Sequence, residues 1–343
     1  MNRVYIARLL EDGIIGEEDI LNALKWLGWE KTIMAGTRIF IKPNLTWPVH
    51  LPGVTTTPQA IEALVAVLKK RTNLITVGES DGGYHAYKAE ETFNGHGLYT
   101  LAEKYGIQVF NLSKDRTEPV TSTIAGRPVT VILPWRLLHE TDLFITMPVP
   151  KTHVMTGVSL AFKNQWGCLP STMRLMEHYE FDRKIVAINK LVNTRLTIMD
   201  GTYFLDGAGP MTGEVIQKNM IIASNQPGPA SAVACAIMGI DPRSIRHKRI
   251  AMQEKMFPLS LDEIKLNTSI DPFKDRQFKM RRGTLDWISL MGFRSKFLSK
   301  LFYDSSTARL LHSVLFTVRR NKWINRFLYG KAGSPPDPTK PMA

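Results

Sequence analysis

The chain has 343 residues, which is enough for one large domain or two lobes. Hydrophobic residues make up 44% and charged residues 22% of it, a composition typical of a globular protein and unlike that of a disordered or fibrous one. Its two cysteines, Cys168 and Cys235, are too few for a four-thiolate iron–sulphur cluster or a zinc site of three or four thiolates. We therefore expect reduced thiols and no iron–sulphur cluster.

The formal net charge of +13 is concentrated near the C-terminus. From Arg276 to Gly330 there are twelve Arg and Lys residues against two Asp residues, whereas the first 275 residues are nearly balanced. A uniformly basic nucleic-acid-binding protein does not show this distribution, so nucleic acid is not the expected partner.

The N-terminal residues do not form an unbroken apolar segment, because Arg3, Arg8, Glu11 and Asp12 interrupt them. They therefore lack the apolar core of a secretory signal. No stretch approaches the ~18 apolar residues that a membrane-spanning helix requires. Both features favour a cytoplasmic location.

Strands and helices alternate along the predicted main body. In chain order the patterns predict strand 38–45, helix 58–70, strand 74–80, a helix and then a strand within 97–112, a hairpin over 119–133, strand 142–151, a helix within 156–168, helix 183–193, strand 196–201, strand 220–225 and helix 229–239. This alternation predicts an α/β fold of Rossmann-like layers: a mostly parallel sheet with helices on both faces. In such sheets, ligands bind at the carboxyl ends of the strands.

From about residue 272 the composition changes to basic residues mixed with aromatic ones. We predict an α/β body over 1–271, a basic amphipathic helical appendage over 272–330 and a disordered tail over 331–343. Within the appendage, helices are predicted at 294–303 and 306–329. Such helices can lie on an anionic membrane surface or pack on the body. Peripheral contact with the inner membrane face is therefore an alternative to a purely cytoplasmic protein.

Polar residues follow four of the predicted strands directly. They are Lys42-Pro43-Asn44, Glu79-Ser80-Asp81, Lys151-Thr152-His153 and Asp200-Gly201. Each group alone has a plain interpretation as a solvated loop. Together they predict one polar crevice, because burying several unpaired charges beside a core is unfavourable unless a ligand or mutual pairing compensates.

These motifs resemble the domain of unknown function 362 family over about residues 36–265. The resemblance is carried by Lys42-Pro43-Asn44, Lys151-Thr152-His153 with Thr156-Gly157, Lys163-Asn164 with Gly167, Asp200-Gly201, and Gly209-Pro210 with Gly213. Some members carry an added ferredoxin-like cysteine cluster, which this chain lacks. The family also tends to place an Asp-Pro pair and a second Asp where this chain has Gln226-Pro227 and Ser231.

The candidate site combines proton-exchanging and anion-binding side chains. We assign catalytic roles to His153, Lys151, Glu79 and Asp200, because imidazole, amine and carboxylate groups can exchange protons. The expected ligand-binding residues, which offer amines, amides, hydroxyls or a carboxylate, are Lys42, Asn44, Thr152, Thr156, Lys163, Asn164 and Asp81.

The residues predict an enzyme of isomerase or lyase type that uses acid–base chemistry on a small carboxylate or phosphate metabolite. One alternative is a non-catalytic protein that binds such a ligand. Another is an enzyme that depends on a hard divalent cation held by Glu79, Asp81, His153 and Asp200. Cys168 is either a buried apolar residue or a nucleophile paired with His153.

Overall fold

The protein is described by a computed structural model over residues 2–10, 13–29, 32–293 and 295–305. The predicted helix at 306–329 and the predicted tail at 331–343 lie outside these residues. The strands are β1 (Asn2–Arg8), β2 (Ile39–Pro43), β3 (Ile75–Glu79), β4 (Gln108–Asn111), β5 (Thr117–Ile124), β6 (Arg127–Pro134), β7 (Leu143–Met147), β8 (Lys151–His153), β9 (Gly157–Ser159), β10 (Leu196–Asp206), β11 (Glu214–Ser224) and β12 (Ile264–Leu266).

Helices connect these strands along the described part of the chain. They are α1 (Glu17–Leu27), α2 (Pro58–Lys69), α3 (Ala89–Gly95), α4 (Leu98–Tyr105), α5 (Trp135–His139), α6 (Ala161–Asn164), α7 (Phe181–Val192), α8 (Pro227–Met238), α9 (Arg246–Gln253), α10 (Thr284–Gly292) and α11 (Lys296–Tyr303).

The main sheet has the strand order β12-β1-β11-β10-β7-β2-β3-β4. Within that order only β11 runs antiparallel to its neighbours. The short β8 pairs in parallel with the far end of β10, and β9 pairs with β8 in an antiparallel manner. Strands β5 and β6 form the predicted hairpin as a separate two-stranded sheet.

Helices cover both faces of the main sheet. Successive side chains along a strand point to opposite faces, so one strand contributes to the core on each side. Ile39 and Ile41 of β2 belong to the core formed with α1, α2 and α4. Phe40, between them, belongs to the core formed with α7 and α8, where its ring stacks on Phe144 with centroids 5.7 Å apart. The predicted mostly parallel α/β fold is thereby confirmed.

Three local predictions differ from the structure. Strand β1 and helix α1 were not predicted, since polar residues interrupt both segments. The predicted helix over 156–168 begins instead as strand β9, because Gly157 has a φ of +81° and turns the chain back along β8. Only Ala161–Asn164 of that stretch is α-helical, and Gln165–Cys168 continues as a 3₁₀ helix.

The first residues after the predicted division at 271 pack on the body. Phe273 and Phe278 are buried in the same core as α7 and α8. The buried Lys218 amine donates a hydrogen bond to the Phe273 carbonyl at 2.7 Å. Helices α10 and α11 follow, so the division at 271 stays a prediction. No helix in the described ranges has the length and apolar character needed to cross a bilayer.

Candidate functional site

The carboxyl ends of β2 and β3 meet β8 and α6 around a polar cavity of about 140 Å³. Seven of the residues assigned to the site from sequence line this cavity: Lys42, Asn44, Glu79, Lys151, His153, Lys163 and Asn164. The convergence follows from the parallel strands, whose carboxyl ends lie at one edge of the sheet.

A buried ion pair joins two of the strands at the cavity wall. The Lys42 amine at the end of β2 lies 2.7 Å from a carboxylate oxygen of Glu79 at the end of β3. The side chains are 1% and 9% exposed. The backbone amides of Ser80 and Leu45 also donate hydrogen bonds to the carboxylate, at 3.0 and 3.4 Å. The Glu79 charge is therefore compensated within the protein.

The backbone at Gly167 lies directly against this ion pair. A Cβ atom placed there would come within 2.7 Å of both the Glu79 carboxylate and the Lys42 amine. The Ser80 hydroxyl donates a hydrogen bond to the Gly167 carbonyl at 2.7 Å, which fixes this contact. A side chain at this position would therefore force Glu79 or Lys42 to shift from its present place.

The Lys163 amine, on α6, lines the cavity and has no hydrogen-bond acceptor among the described residues. Burial, together with the charges of Arg174 and Lys42, lowers the pKa of Lys163 to about 8. An amine with this pKa exists in both protonation states near neutral pH.

His153 presents an N–H group to the same cavity. Its Nδ1 atom accepts a hydrogen bond from the Met155 backbone amide at 3.1 Å. The neutral ring therefore carries its proton on Nε2, for which no protein partner is found in the described ranges. Burial, then the charges of Lys163 and Lys151, lowers the pKa of His153 well below its ordinary value. The imidazole is consequently a neutral hydrogen-bond donor at pH 7.

Two further cationic side chains border the cavity. The Lys151 amine of β8 donates a hydrogen bond to the Val54 carbonyl, and burial lowers its pKa well below the ordinary range. The Arg174 guanidinium donates to the carbonyls of Asp81 at 2.9 Å and Ser171 at 3.1 Å. Burial lowers the pKa of Arg174 as well. Sequence reasoning missed Arg174, because it lies in a 3₁₀ segment (Arg174–Glu180) and not at a strand end.

Hydrogen bonds of Asn44 and Asn164 connect the chain segments around the cavity. The Asn164 amide donates hydrogen bonds to the Thr146 hydroxyl at 2.8 Å and the Lys42 carbonyl at 3.3 Å. The Asn44 backbone amide donates to the Thr56 hydroxyl at 2.8 Å. These bonds connect α6, β7 and the loop after β2.

The two remaining carboxylates assigned to the site lie outside the cavity lining and accept hydrogen bonds near helix starts. Asp200 accepts from the Thr57 amide at 2.7 Å and the Thr57 hydroxyl at 2.5 Å, immediately before α2. Asp81 accepts from the Ala89 amide of α3 and from the Asn111 side chain, each at 2.9 Å. Both carboxylates satisfy backbone donors that α-helices leave unpaired at their N-termini.

Thr152 and Thr156 also lie outside the cavity lining. The Thr152 hydroxyl donates a hydrogen bond to the Gly207 carbonyl at 3.0 Å, and the Thr156 hydroxyl donates to the Val158 carbonyl at 3.1 Å. The first bond ties β8 to the loop after β10, and the second lies within the hairpin of β8 and β9. The ligand-binding role expected of these two residues stays a prediction.

The donor set around the cavity does not favour a divalent cation. Of the lining residues that the structure describes, only Glu79 carries a carboxylate, and it is already paired with Lys42. Throughout the described ranges, no group of three or more His, Cys, Asp or Glu side chains is arranged to hold a metal ion. Hard cations are usually held by carboxylates together with other oxygens, and among the described lining residues only Glu79 supplies a carboxylate.

Cys168 is a fully buried thiol beside the ion pair. Its sulphur lies 3.5 Å from the Gln165 side-chain oxygen, and burial raises its pKa to about 12. A thiol with this pKa is protonated at neutral pH, whereas the thiolate is the nucleophilic form. The packing interpretation of Cys168 therefore fits the structure better than the nucleophile interpretation.

A larger cavity, of about 640 Å³, lies at the opposite end of the sheet, near the start of β10 and the start of α8. Gln226 and Pro227, where the family tends to place Asp-Pro, line this cavity and not the polar one. Ser231 is fully buried in α8. None of the residues assigned to the site from sequence borders the larger cavity.

Comparison with known proteins gives a family and two similar proteins. The sequence profile of the family described as Domain of unknown function (DUF362) matches residues 39–236. A thylakoid-associated protein of Synechocystis sp. is 24% identical over 238 residues, covering 67% of this chain and 71% of the relative. A crystal structure of a Thermotoga maritima protein has a TM-score of 0.35 and 12% sequence identity, covering 56% of this chain and 52% of that one. The matched chain segment spans about half of that structure.

Replacing Gly167 by Ala tests whether the backbone contact holds the ion pair. The added Cβ must displace Glu79 or Lys42, so we expect the free energy of unfolding to fall by about 1–3 kcal/mol, as overpacking in a buried site does. Urea denaturation measures this change. Gly36→Ala is the control, since nothing lies within 4 Å of a Cβ there. Equal stability of the two variants would contradict the described contact.

Proposed function

The chain belongs to the DUF362 family, as its motifs predicted, and we propose that it is an enzyme of isomerase or lyase type that acts on a small carboxylate or phosphate. One observation carries this proposal. The Lys163 amine and the His153 Nε2–H group line one polar cavity, and neither has a protein hydrogen-bond partner in the described ranges. Donors that line a cavity and have no protein partner can bind an acceptor on a ligand there.

The charge of the cavity favours an anion. Four basic side chains, Lys42, Lys151, Lys163 and Arg174, line it, whereas Glu79 alone is acidic among the described lining residues and is paired with Lys42. Binding an anion would supply the missing negative charge and so reduce the repulsion among the cations.

The size of the cavity limits what it can enclose. Its volume of about 140 Å³ is small beside the roughly 300–1,000 Å³ of typical small-molecule sites. A carboxylate or phosphate group with a few neighbouring atoms fits this space. The rest of any larger substrate must lie outside.

The two free groups suit different steps of a proton abstraction. Neutral Lys163, with a pKa of about 8, is suited to take a proton from a carbon next to a carbonyl or carboxyl group. The Nε2–H group of neutral His153 can donate a hydrogen bond to the oxygen on which negative charge then develops. The lowered pKa of His153 makes it a donor in this scheme and assigns the proton exchange to Lys163.

Sulphate binding tests the charge of the cavity, because the charge of sulphate does not change from pH 6 to 10. Below its pKa Lys163 is protonated and attracts the anion, so affinity should be highest there and fall as the pH rises through 8 to 9. Lys163→Met should weaken binding about 10- to 100-fold at pH 7, corresponding to a lost charged hydrogen bond. The same substitution should also remove most of the decrease in sulphate affinity above pH 8. Isothermal titration calorimetry measures both effects.

Lys265→Met is the control for this titration, since Lys265 is an exposed lysine in the edge strand β12. We expect its sulphate affinity to equal that of the unaltered chain. Equal weakening in both variants would show that general surface charge binds sulphate. Unchanged affinity in Lys163→Met would remove Lys163 from the binding site.

Solvent deuterium exchange tests catalysis even where the product is unidentified. The protein is incubated in D₂O with a panel of small oxo acids, hydroxy acids and phosphate esters, and proton NMR records the loss of carbon-bound hydrogen. We expect exchange in at least one compound, abolished by Lys163→Met and reduced about 10²-fold or more by His153→Gln. Ligand binding without exchange in any compound would favour the non-catalytic alternative.

We further propose that the protein contacts an anionic membrane surface through α10 and α11. Large apolar side chains are exposed there, including Phe297 at 74% and Trp287 at 55%, with exposed Lys296 and Lys300 beside them. The sequence from 306 to 330 adds five Arg and Lys residues and no acidic residue. Aromatic and basic side chains together favour the surface of an anionic bilayer. The name of the thylakoid-associated relative is compatible with this location.

Vesicle flotation tests this contact. We expect binding to vesicles that contain phosphatidylglycerol, little binding to pure phosphatidylcholine, and loss of binding at high salt, because salt screens the charges. Trp287→Ser with Phe297→Ser should lower the partition coefficient at least 10-fold. The control, Met34→Ser with Leu259→Ser, removes side chains that are 65% and 60% exposed on other segments. If both double variants partition equally into the vesicles, the proposed membrane contact through α10 and α11 is contradicted.

A further inference from the structure

We infer that the Lys163 amine is a site of reversible modification by carbon dioxide, which converts it to a carbamate inside the polar cavity. The carbamate is an anion, so it takes the position proposed for the substrate anion and blocks the site while it is present. The inference rests on the proposed function, since it uses the same amine, and it adds a form of regulation to that site. The fraction of active molecules then depends on the concentration of dissolved carbon dioxide.

Lys163 is the lysine of the cavity whose amine is available for reaction. The Lys42 amine is paired with Glu79 at 2.7 Å. The Lys151 amine donates a hydrogen bond to the Val54 carbonyl. The Lys163 amine reaches the same cavity and, within the described ranges, has no hydrogen-bond partner. Its nitrogen can therefore meet a small molecule that enters the cavity.

The environment of Lys163 also supplies the reactive form of the amine. Only a neutral amine has the lone pair that attacks carbon. Burial, then the charges of Arg174 and Lys42, lowers the pKa of Lys163 to about 8. At pH 7.5 about a quarter of such an amine is neutral, roughly 200 times the neutral fraction of a lysine with the ordinary pKa of about 10.4. Lysines with an ordinary pKa therefore compete poorly for carbon dioxide.

The cavity suits the product of this reaction. A carbamate adds only a carboxylate group to the side chain, which fits a space of about 140 Å³. The Nε2–H group of neutral His153 lines the same space and can donate a hydrogen bond to a carbamate oxygen. Positive charge on Lys163 helps to lower the pKa of His153, so the two groups lie within electrostatic reach of each other.

Charge distinguishes carbon dioxide from other reagents that modify amines. Acetylation removes the positive charge of a lysine, and imine formation creates no negative one, so neither product compensates the excess of basic side chains. A carbamate is negative, and the charges of Arg174 and Lys42 both act on Lys163. Nearby opposite charges stabilise the ionised form of a group. The cavity therefore favours the carbamate over the neutral modifications.

The reaction balances without an oxidant or a second substrate. The lone pair of the Lys163 nitrogen attacks the carbon of carbon dioxide and forms an N–C bond, while one C–O π bond breaks and its electron pair becomes the negative charge on oxygen. The nitrogen gives up one proton to solvent. Protonation of the carbamate nitrogen reverses these steps and releases carbon dioxide. Because a proton is lost on modification, a higher pH at a fixed concentration of dissolved carbon dioxide favours the carbamate.

Carbon-13 NMR of the full chain under carbon-13-labelled carbon dioxide tests the inference. We expect a carbamate signal from Lys163 and another from the α-amino group of the chain, whose ordinary pKa is about 7.7–8.0. With dissolved carbon dioxide held constant, the Lys163 signal should rise at least ~10-fold from pH 6.5 to 8.5, because the neutral fraction of the amine rises over this range.

Three variants assign the signal. Lys163→Met should remove it and leave the α-amino signal. Lys163→Arg should also remove it but keep sulphate binding within about threefold at pH 7, because a guanidinium stays protonated and cannot form a carbamate. Lys248→Met is the matched control, since Lys248 is also fully buried and burial lowers its pKa. We expect this control to keep the Lys163 signal, and circular dichroism checks that each variant is folded.

Competition with sulphate tests the regulatory part of the inference on the unaltered chain. At pH 8, saturating sulphate should remove most of the Lys163 signal and leave the α-amino signal. Raising the concentration of dissolved carbon dioxide should in turn weaken the apparent sulphate affinity measured by calorimetry. A Lys163 signal that persists unchanged at saturating sulphate would contradict the blocking of the site.

Three further results would overturn the inference, and only the last of them also removes the proposed function. If no signal depends on Lys163 while sulphate binding still does, the modification is absent and the anion site stands. A signal that is lost in Lys248→Met and kept in Lys163→Met places the carbamate on the wrong lysine. If Lys163→Met changes neither the signal nor sulphate binding, the proposed function fails together with the inference.

Discussion

The buried ion pair between Lys42 and Glu79 is the contact on which the site depends. It joins the carboxyl ends of β2 and β3 and lies against the backbone at Gly167. Buried ion pairs contribute little net stability, because desolvation offsets much of their attraction. The pair occupies the one carboxylate found among the described lining residues, so basic side chains outnumber acidic ones around the cavity.

Burial is the main cause of the unusual protonation of the site, and the excess of basic groups adds to it. Burial first, and neighbouring positive charges second, lower the pKa of Lys151, Lys163 and His153. The same imbalance disfavours a hard cation and favours an anion, which would restore charge balance. One arrangement of charges therefore accounts both for the expected ligand and for an amine that can exchange protons near neutral pH.

Much of the candidate site could be predicted from the sequence, because a polar residue after an apolar run in an α/β chain lies at the edge of the sheet formed by the carboxyl ends of its strands. This rule located Lys42, Glu79, Lys151 and His153. It also selected Asp81 and Asp200, whose carboxylates accept hydrogen bonds near the starts of α3 and α2. The sequence does not show which of these side chains line the cavity and which accept hydrogen bonds at a helix start. This depends on which backbone amide lies opposite each side chain in the folded protein. Arg174 was missed because long-range packing, including that of α11, places its segment beside the cavity.

The central claim is that the cavity beside the Lys42–Glu79 pair binds an oxyanion. A crystal structure of the full chain with selenate, located by its anomalous scattering, tests this claim most directly. We predict a selenium peak in this cavity, with an oxyanion oxygen about 3 Å from both Lys163 Nζ and His153 Nε2. A well-occupied peak only in the larger cavity near the start of α8, with none beside Lys163, would contradict it.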